Sequence, residues 1–150
     1  MMSSHRGNML SSLKRLVTLE LHQAKVTRAE CEAALSRSEH VRDRADVAFT
    51  ETGARMGIAV AAGQSIDMPG LCWSMDRSAE QLSSLQAAEA RVRADAAAVQ
   101  QAEIAVNAKR RKEDSVSDSL RVEENRHRQM LGNRLDTEAE ELWLMRRVRK

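Results

Sequence analysis

The chain has 150 residues, of which 31% are charged and 42% hydrophobic, yet only Phe49, Trp73 and Trp143 are aromatic. One proline and an abundance of Ala, Glu, Arg, Gln and Leu exclude a thick aromatic core and a strand-rich fold, and favour long or coiled helices. Lys plus Arg number 24 against 22 Asp plus Glu, and a net charge of +2 gives no strong electrostatic case for nucleic acid as the main partner.

The N-terminal residues, Met1 to Asn8, lack an apolar run before polar residues return at Ser11 and Ser12, so no signal peptide is predicted. No segment approaches the ~20 apolar residues that a membrane span requires, and no direct membrane insertion is expected. Cys31 and Cys72 lie far apart without a ligand-type spacing, which argues against a disulfide framework or zinc site and fits a reducing, cytoplasmic compartment.

From Leu10 a helical stripe recurs in steps of three and four through Leu13, Val17, Leu21, Ala24, Cys31, Leu35, Val41, Ala45, Phe49, Thr52, Met56 and Ala59, with interruptions at Arg28 and Ser38. This predicts a first arm over about 9–62. Glycine and proline in Gly63-Gln64-Ser65-Ile66-Asp67-Met68-Pro69-Gly70 end it, which places a turn over about 63–70. Ser65 or Asp67 is suited to cap the second helix, with Pro69 tolerated in its first turn.

The second arm, about 71–145, carries Met75, Leu82, Leu85, Val92, Val99, Val106, Val116, Leu120, His127, Leu131 and Leu135. The seven-residue spacing from Leu85 to Val106 is that of a left-handed coiled coil. Within this arm, Lys109-Arg110-Arg111-Lys112, balanced by Glu113 and Asp114, reads as a solvated face.

A helix of ~52 residues rises 1.5 Å per residue to ~78 Å and needs a partner along its length. The short connection makes that partner antiparallel. The expected fold is therefore all-α, two long helices forming one antiparallel coiled-coil hairpin over 1–150. Folding about residue 67 sets Phe49 near Leu85, Val41 near Val92, Leu35 near Val99, Ala29 near Val106 and Leu10 near Glu124.

That register leaves about 26 residues of the second arm unpaired, although they include Leu131, Leu135, Leu142, Trp143, Leu144 and Met145. Either the chain folds back over Gly132-Asn133, or the overhang enters another protein, as aromatic and aliphatic anchors beside arginines suggest. Trp73 likewise has two readings, a plug packed on Ile58 or Val60 and an exposed anchor.

Catalytic signatures are missing. No GxxxxGK[ST], GxGxxG or GxSxG word occurs. Glu124 and His127 form one Glu-x-x-His pair, without the second copy and extra glutamates of a di-iron bundle. His22 and His40 sit elsewhere, so neither a metal site nor a cofactor is predicted, and the chain is read as no enzyme.

The words Asn133-Arg134-Leu135-Asp136, the charged stretch to Trp143 and the basic end resemble the C-termini of flagellar FliJ-type stalks. Ala62-Gly63 before Trp73 and Glu80-Gln81-Leu82, and the opening Leu10, Leu13, Lys14 and Leu16 leading to Glu20, are similar to the same central-stalk family of type III secretion, which includes the YscO-like injectisome proteins.

The resemblance implies a hairpin seated in a hexameric secretion ATPase and reaching an export gate protein, with export chaperones as further partners, in the bacterial cytoplasm beside the inner-membrane apparatus. Leu10, Leu13, Leu131, Arg134, Leu135 and Trp143 become the ATPase-facing candidates. Trp73, Asp76 and Glu80 become the gate-facing candidates, although this chain has fewer aromatics near the turn than flagellar members.

Two rivals stand beside this reading. One is a generic self-assembling coiled-coil adaptor with alanine seams such as Ala87-Ala88 and Ala96-Ala97-Ala98. The other is a nucleic-acid-binding hairpin using Arg121, Arg126, Arg128 and the tail. Glu123, Glu124, Glu138, Glu140 and Glu141 break its basic stripe.

Overall fold

Two long helices, α1 over Met2–Ala61 and α2 over Met68–Val148, pack against each other as an all-α hairpin in the computed structural model. It describes residues 2–65 and 67–148, and side chains within 5–65 and 67–147. Arg149 and Lys150 of the basic tail lie outside the described residues.

The turn follows from local chemistry. Gly63 adopts φ 67°, which costs glycine little because it has no Cβ. Its N–H donates to Val60 O at 3.1 Å, and the Gln64 N–H donates to Ala59 O at 3.2 Å. Together these two bonds form a Schellman cap that satisfies the last carbonyls of α1. Of the two predicted caps, Asp67 serves: its Oδ1 accepts from the Gly70 N–H at 3.1 Å, and its carbonyl accepts from the Leu71 N–H at 2.9 Å. Pro69 occupies the first turn of α2, where its missing N–H costs nothing.

The chain divides into two units, Met1–Ala24 with Val106–Lys150, and Lys25–Ala105. In the first, Val17 is fully buried and Leu21, Val106 and Val116 are nearly so. In the second, the buried side chains are small: Ala88, Ala102 and Ser38.

Burial centres on a four-three alternation, with Glu20, Ala34, Ala48, Gly70 and Ser117 half-buried beside it. In α1 the covered positions run Val17, Leu21, Ala24, Arg28, Cys31, Leu35, Ser38, Arg42, Ala45, Phe49, Thr52, Met56 and Ala59. In α2 they run from Leu71 and Ser74 through Ser78, Gln81, Leu85, Ala88, Val92, Asp95, Val99, Ala102, Val106, Lys109, Glu113, Val116 and Leu120 to Glu123. Lettered as heptads, Leu21 and Leu71 occupy a positions, and Val17 and Ser74 occupy d positions.

Reflecting one series on the other about residue 65 superimposes them. Val17 then lies level with Glu113, Leu21 with Lys109, Ala24 with Val106, and Phe49 with Gln81. In the first unit a hydrogen bond agrees to within a residue, Thr18 Oγ1 donating to Glu113 Oε1 at 2.8 Å; in the second, Ser78 Oγ donates to Met56 Sδ at 3.8 Å, about one helical turn away from that level.

In the first unit this moves the centre of the hairpin from the expected residue 67 to about 65, so that Leu10 lies level with Leu120 and not with Glu124. The cause is the turn. It occupies only 62–67 because Asp67 caps α2 ahead of Pro69, which moves the register by about one helical turn.

The stripes are corrected as well. Arg28 and Ser38 do not interrupt the seam but belong to it, and Ser38 satisfies its hydroxyl by donating to Leu35 O at 2.9 Å. Leu13, Val41, Met75 and Leu82 lie off the seam and are exposed. The basic run is not uniformly solvated, because Lys109 faces the seam. At the N-terminus, α1 begins before residue 9, and half-buried Gly7 adds a layer level with Glu123.

Candidate functional site

In the first unit, α2 continues as uninterrupted helix past its last half-buried position, Glu123, and residues 124–147 are exposed throughout. The fold-back over Gly132-Asn133 therefore does not occur. The extension displays Met130, Leu131, Leu135, Leu142, Trp143, Leu144 and Met145, each at least 48% exposed. This surface is far more apolar than an unpartnered helix needs.

The extension has two faces. Leu131, Leu135, Leu142 and Met145 recur in steps that keep them on one side, at heptad positions e and b. Their stripe is rotated by one residue, about 100°, from the seam. Arg134, adjoining that stripe, pairs with Glu138 at 3.3 Å. Trp143 falls on the other side, where the Arg147 guanidinium stacks 4.9 Å from its ring centroid, a cation–π contact that holds the indole against the helix. Leu131, Arg134 and Leu135 thus form one patch, and Trp143 stands apart from it.

The opposing N-terminal segment of the same unit has a shallow apolar hollow lined by Arg6, Met9, Leu10, Leu13 and Leu16 among others. Leu10 is half-buried and Leu13 is 42% exposed, so the structure unites these two candidates with Met9 and Leu16, which the sequence reading left out of the site. The signal was available. In the heptad frame Met9, Leu13 and Leu16 occupy c and g positions, outside the seam.

Below the extension, Glu20 accepts from Lys109 Nζ at 2.6 Å and lies 3.6 Å from Lys112 Nζ. The hydrogen bond from Lys109, aided by both ammonium charges and opposed by desolvation, lowers the Glu20 pKa from its ordinary value. Arg126 lies 3.9 Å from Glu123, which offsets charge in the proposed basic stripe.

In the second unit, Trp73 is 68% exposed, as are Ile58 and Val60 to a similar degree. The plug reading is therefore not realised, and the indole is open. Asp76 and Glu80 are exposed near it on α2, with Glu80 3.7 Å from Arg77. Ile58, Val60, Met68 and Met75 add exposed apolar surface around the turn.

Among the described residues, no group of three or more His, Cys, Asp or Glu is placed to hold a metal ion, and no helix is long and apolar enough to cross a membrane. Fold and surface define an all-α helical hairpin with an unpaired apolar extension. Comparison with family models, curated proteins and solved structures finds no match to this chain.

Proposed function

We propose that the chain is a non-enzymatic central stalk of a bacterial type III secretion export apparatus, linking a hexameric ATPase to the export gate. The observation that carries this reading is the extension over 124–147. A helix that presents Leu131, Leu135, Leu142 and Trp143 to solvent beside Arg134, Arg146 and Arg147 has the composition of an interface hot spot without a partner.

On this reading the extension and the N-terminal hollow, with Leu10, Leu13, Leu131, Arg134, Leu135 and Trp143, seat in the ring. Trp73, Asp76 and Glu80 near the turn engage the gate. Export chaperones are further partners, and the stalk works in the cytoplasm beside the inner membrane. The basic end of α2 favours an acidic or mixed surface in the ring. Deleting residues 132–150 abolishes co-purification with the cognate secretion ATPase on this reading; undiminished recovery of the ATPase would refute it.

A second reading, a self-assembling coiled-coil adaptor, is favoured by one observation: the exposed b and f positions of α1 carry one charged residue, Asp43, from Val26 to Ala61.

A further inference from the structure

We propose that two copies of this chain associate through the outward face of α1 in the second unit, with their α1 helices parallel. The inference does not rest on the stalk reading, and it uses none of residues 124–147.

A two-helix hairpin needs one buried stripe per helix, and the face opposite the seam is normally polar. Here it is not. At the f positions stand Val26, Ala33, His40, Val47 and Ala54, all exposed, with Val26 at 44% and Val47 at 55%. From Val26 to Ala61, these and the intervening b positions include one Asp, Glu, Lys or Arg, Asp43. The b and f positions recur in steps of three and four, so they form a second continuous coiled-coil stripe. A shallow hollow on this face is lined by His40, Asp43, Arg44 and Val47.

The residues flanking the stripe select its occupant. Along one edge, at e positions, lie Lys25, Glu32, Glu39 and Asp46. Along the other, at c positions, lie Glu30, Arg37, Arg44 and Glu51. The edges are thus largely acidic and partly basic.

In an antiparallel pair each edge meets its own copy, so Glu32, Glu39 and Asp46 oppose acidic residues. In a parallel pair one edge meets the other with a five-residue offset. Lys25 then reaches Glu30 of the second copy, Glu32 reaches Arg37 and Glu39 reaches Arg44, and two-fold symmetry repeats each contact. Asp46 with Glu51 is the one mismatched flank. Such edge charges fix orientation and partner choice in coiled coils, and here they fit a second copy of the same chain.

The stripe has few large side chains and Asp43 would face its own copy, so the dimer is weak and salt-sensitive. Arg28, 2.8 Å from Glu32, and Arg42, 2.6 Å from Asp43, already offset part of the acidic charge within one chain.

The test is sedimentation equilibrium of the full chain at tens of micromolar in low salt. The expected mass rises from 16.8 kDa towards twice that value and falls back in about 0.5 M salt, where exposed pairs are screened. An Asp43→Leu chain should dimerise at least tenfold more tightly.

Two charge-swapped chains decide the geometry. Glu32→Arg/Glu39→Arg and Arg37→Glu/Arg44→Glu should each be monomeric alone, with helicity retained by circular dichroism, and should form a heterodimer when mixed. A wild-type chain that stays monomeric, a dimer indifferent to both swaps, or swapped chains that fail to pair on mixing would overturn the proposal.

Discussion

Glu20 and Lys109 meet across the two helices of the first unit at 2.6 Å, and the level they share fixes the register of that unit. Lys109 belongs to a basic run whose composition reads as solvent-facing, yet it occupies a d position beside Leu21. Its aliphatic stem covers apolar surface while the ammonium reaches the carboxylate at the rim.

This contact predicts a pH effect of definite sign. The Glu20 pKa is lowered on folding from its ordinary 4.5, mainly by the Lys109 hydrogen bond. A lowered folded-state value adds stability that is present above the unfolded value and lost as pH falls through the folded one. Glu20→Gln should therefore lower Tm at neutral pH, and its difference from the wild type should shrink below pH 4.5. Thermal melts from pH 7 to pH 3 measure it, and a difference that grows on acidification would contradict the assignment.

The corrected seam separates two valines that periodicity alone treats alike. Val17 is fully buried, whereas Val41 is 49% exposed. Val17→Ala should cost about 2 kcal/mol from lost burial and the space left behind, and Val41→Ala should stay within about 0.5 kcal/mol. Urea unfolding of both variants checks the order.

Gln81 Oε1 is buried without a hydrogen-bond partner, at a d position level with Phe49. An unpaired buried acceptor costs about 1–3 kcal/mol. Gln81→Leu removes it and should raise stability by about 1 kcal/mol or more, read as a higher midpoint at unchanged m.

Glycines in helix and turn should respond with opposite signs. A Cβ on Gly53 meets nothing within 4 Å, so Gly53→Ala should stabilise α1 by about 0.5–1 kcal/mol through helix propensity. Gly63 sits at φ 67°, and Gly63→Ala should cost about 1 kcal/mol. Paired melts of the two variants decide.

Much of the fold is legible in the sequence because Val17, Leu21, Val92, Val99 and Val106 repeat at coiled-coil spacing, and because Gly63 and Asp67 mark the turn. The register was harder to read. Half of the seam is polar or small, with Arg28, Ser38, Asp95, Lys109 and Glu113 at positions where hydrophobicity gives no signal.

Exposed Leu13, Met75 and Leu82 drew the stripe away from these positions, since an apolar residue facing solvent looks the same in sequence as one facing a partner helix. The extension was legible by length, because the first arm is shorter than the second. Its division into a leucine face and a separate Trp143 face required the heptad frame that burial supplies.

The most direct test of the stalk account is the affinity of the chain for its cognate secretion ATPase with the leucine face of the extension spoiled. Leu131→Glu/Leu135→Glu changes two exposed side chains, so the hairpin should keep its helicity and melting behaviour. The account predicts a loss of at least tenfold in affinity, about 1.4 kcal/mol, with no comparable loss for Trp73→Ala. Wild-type affinity in the double variant would contradict it.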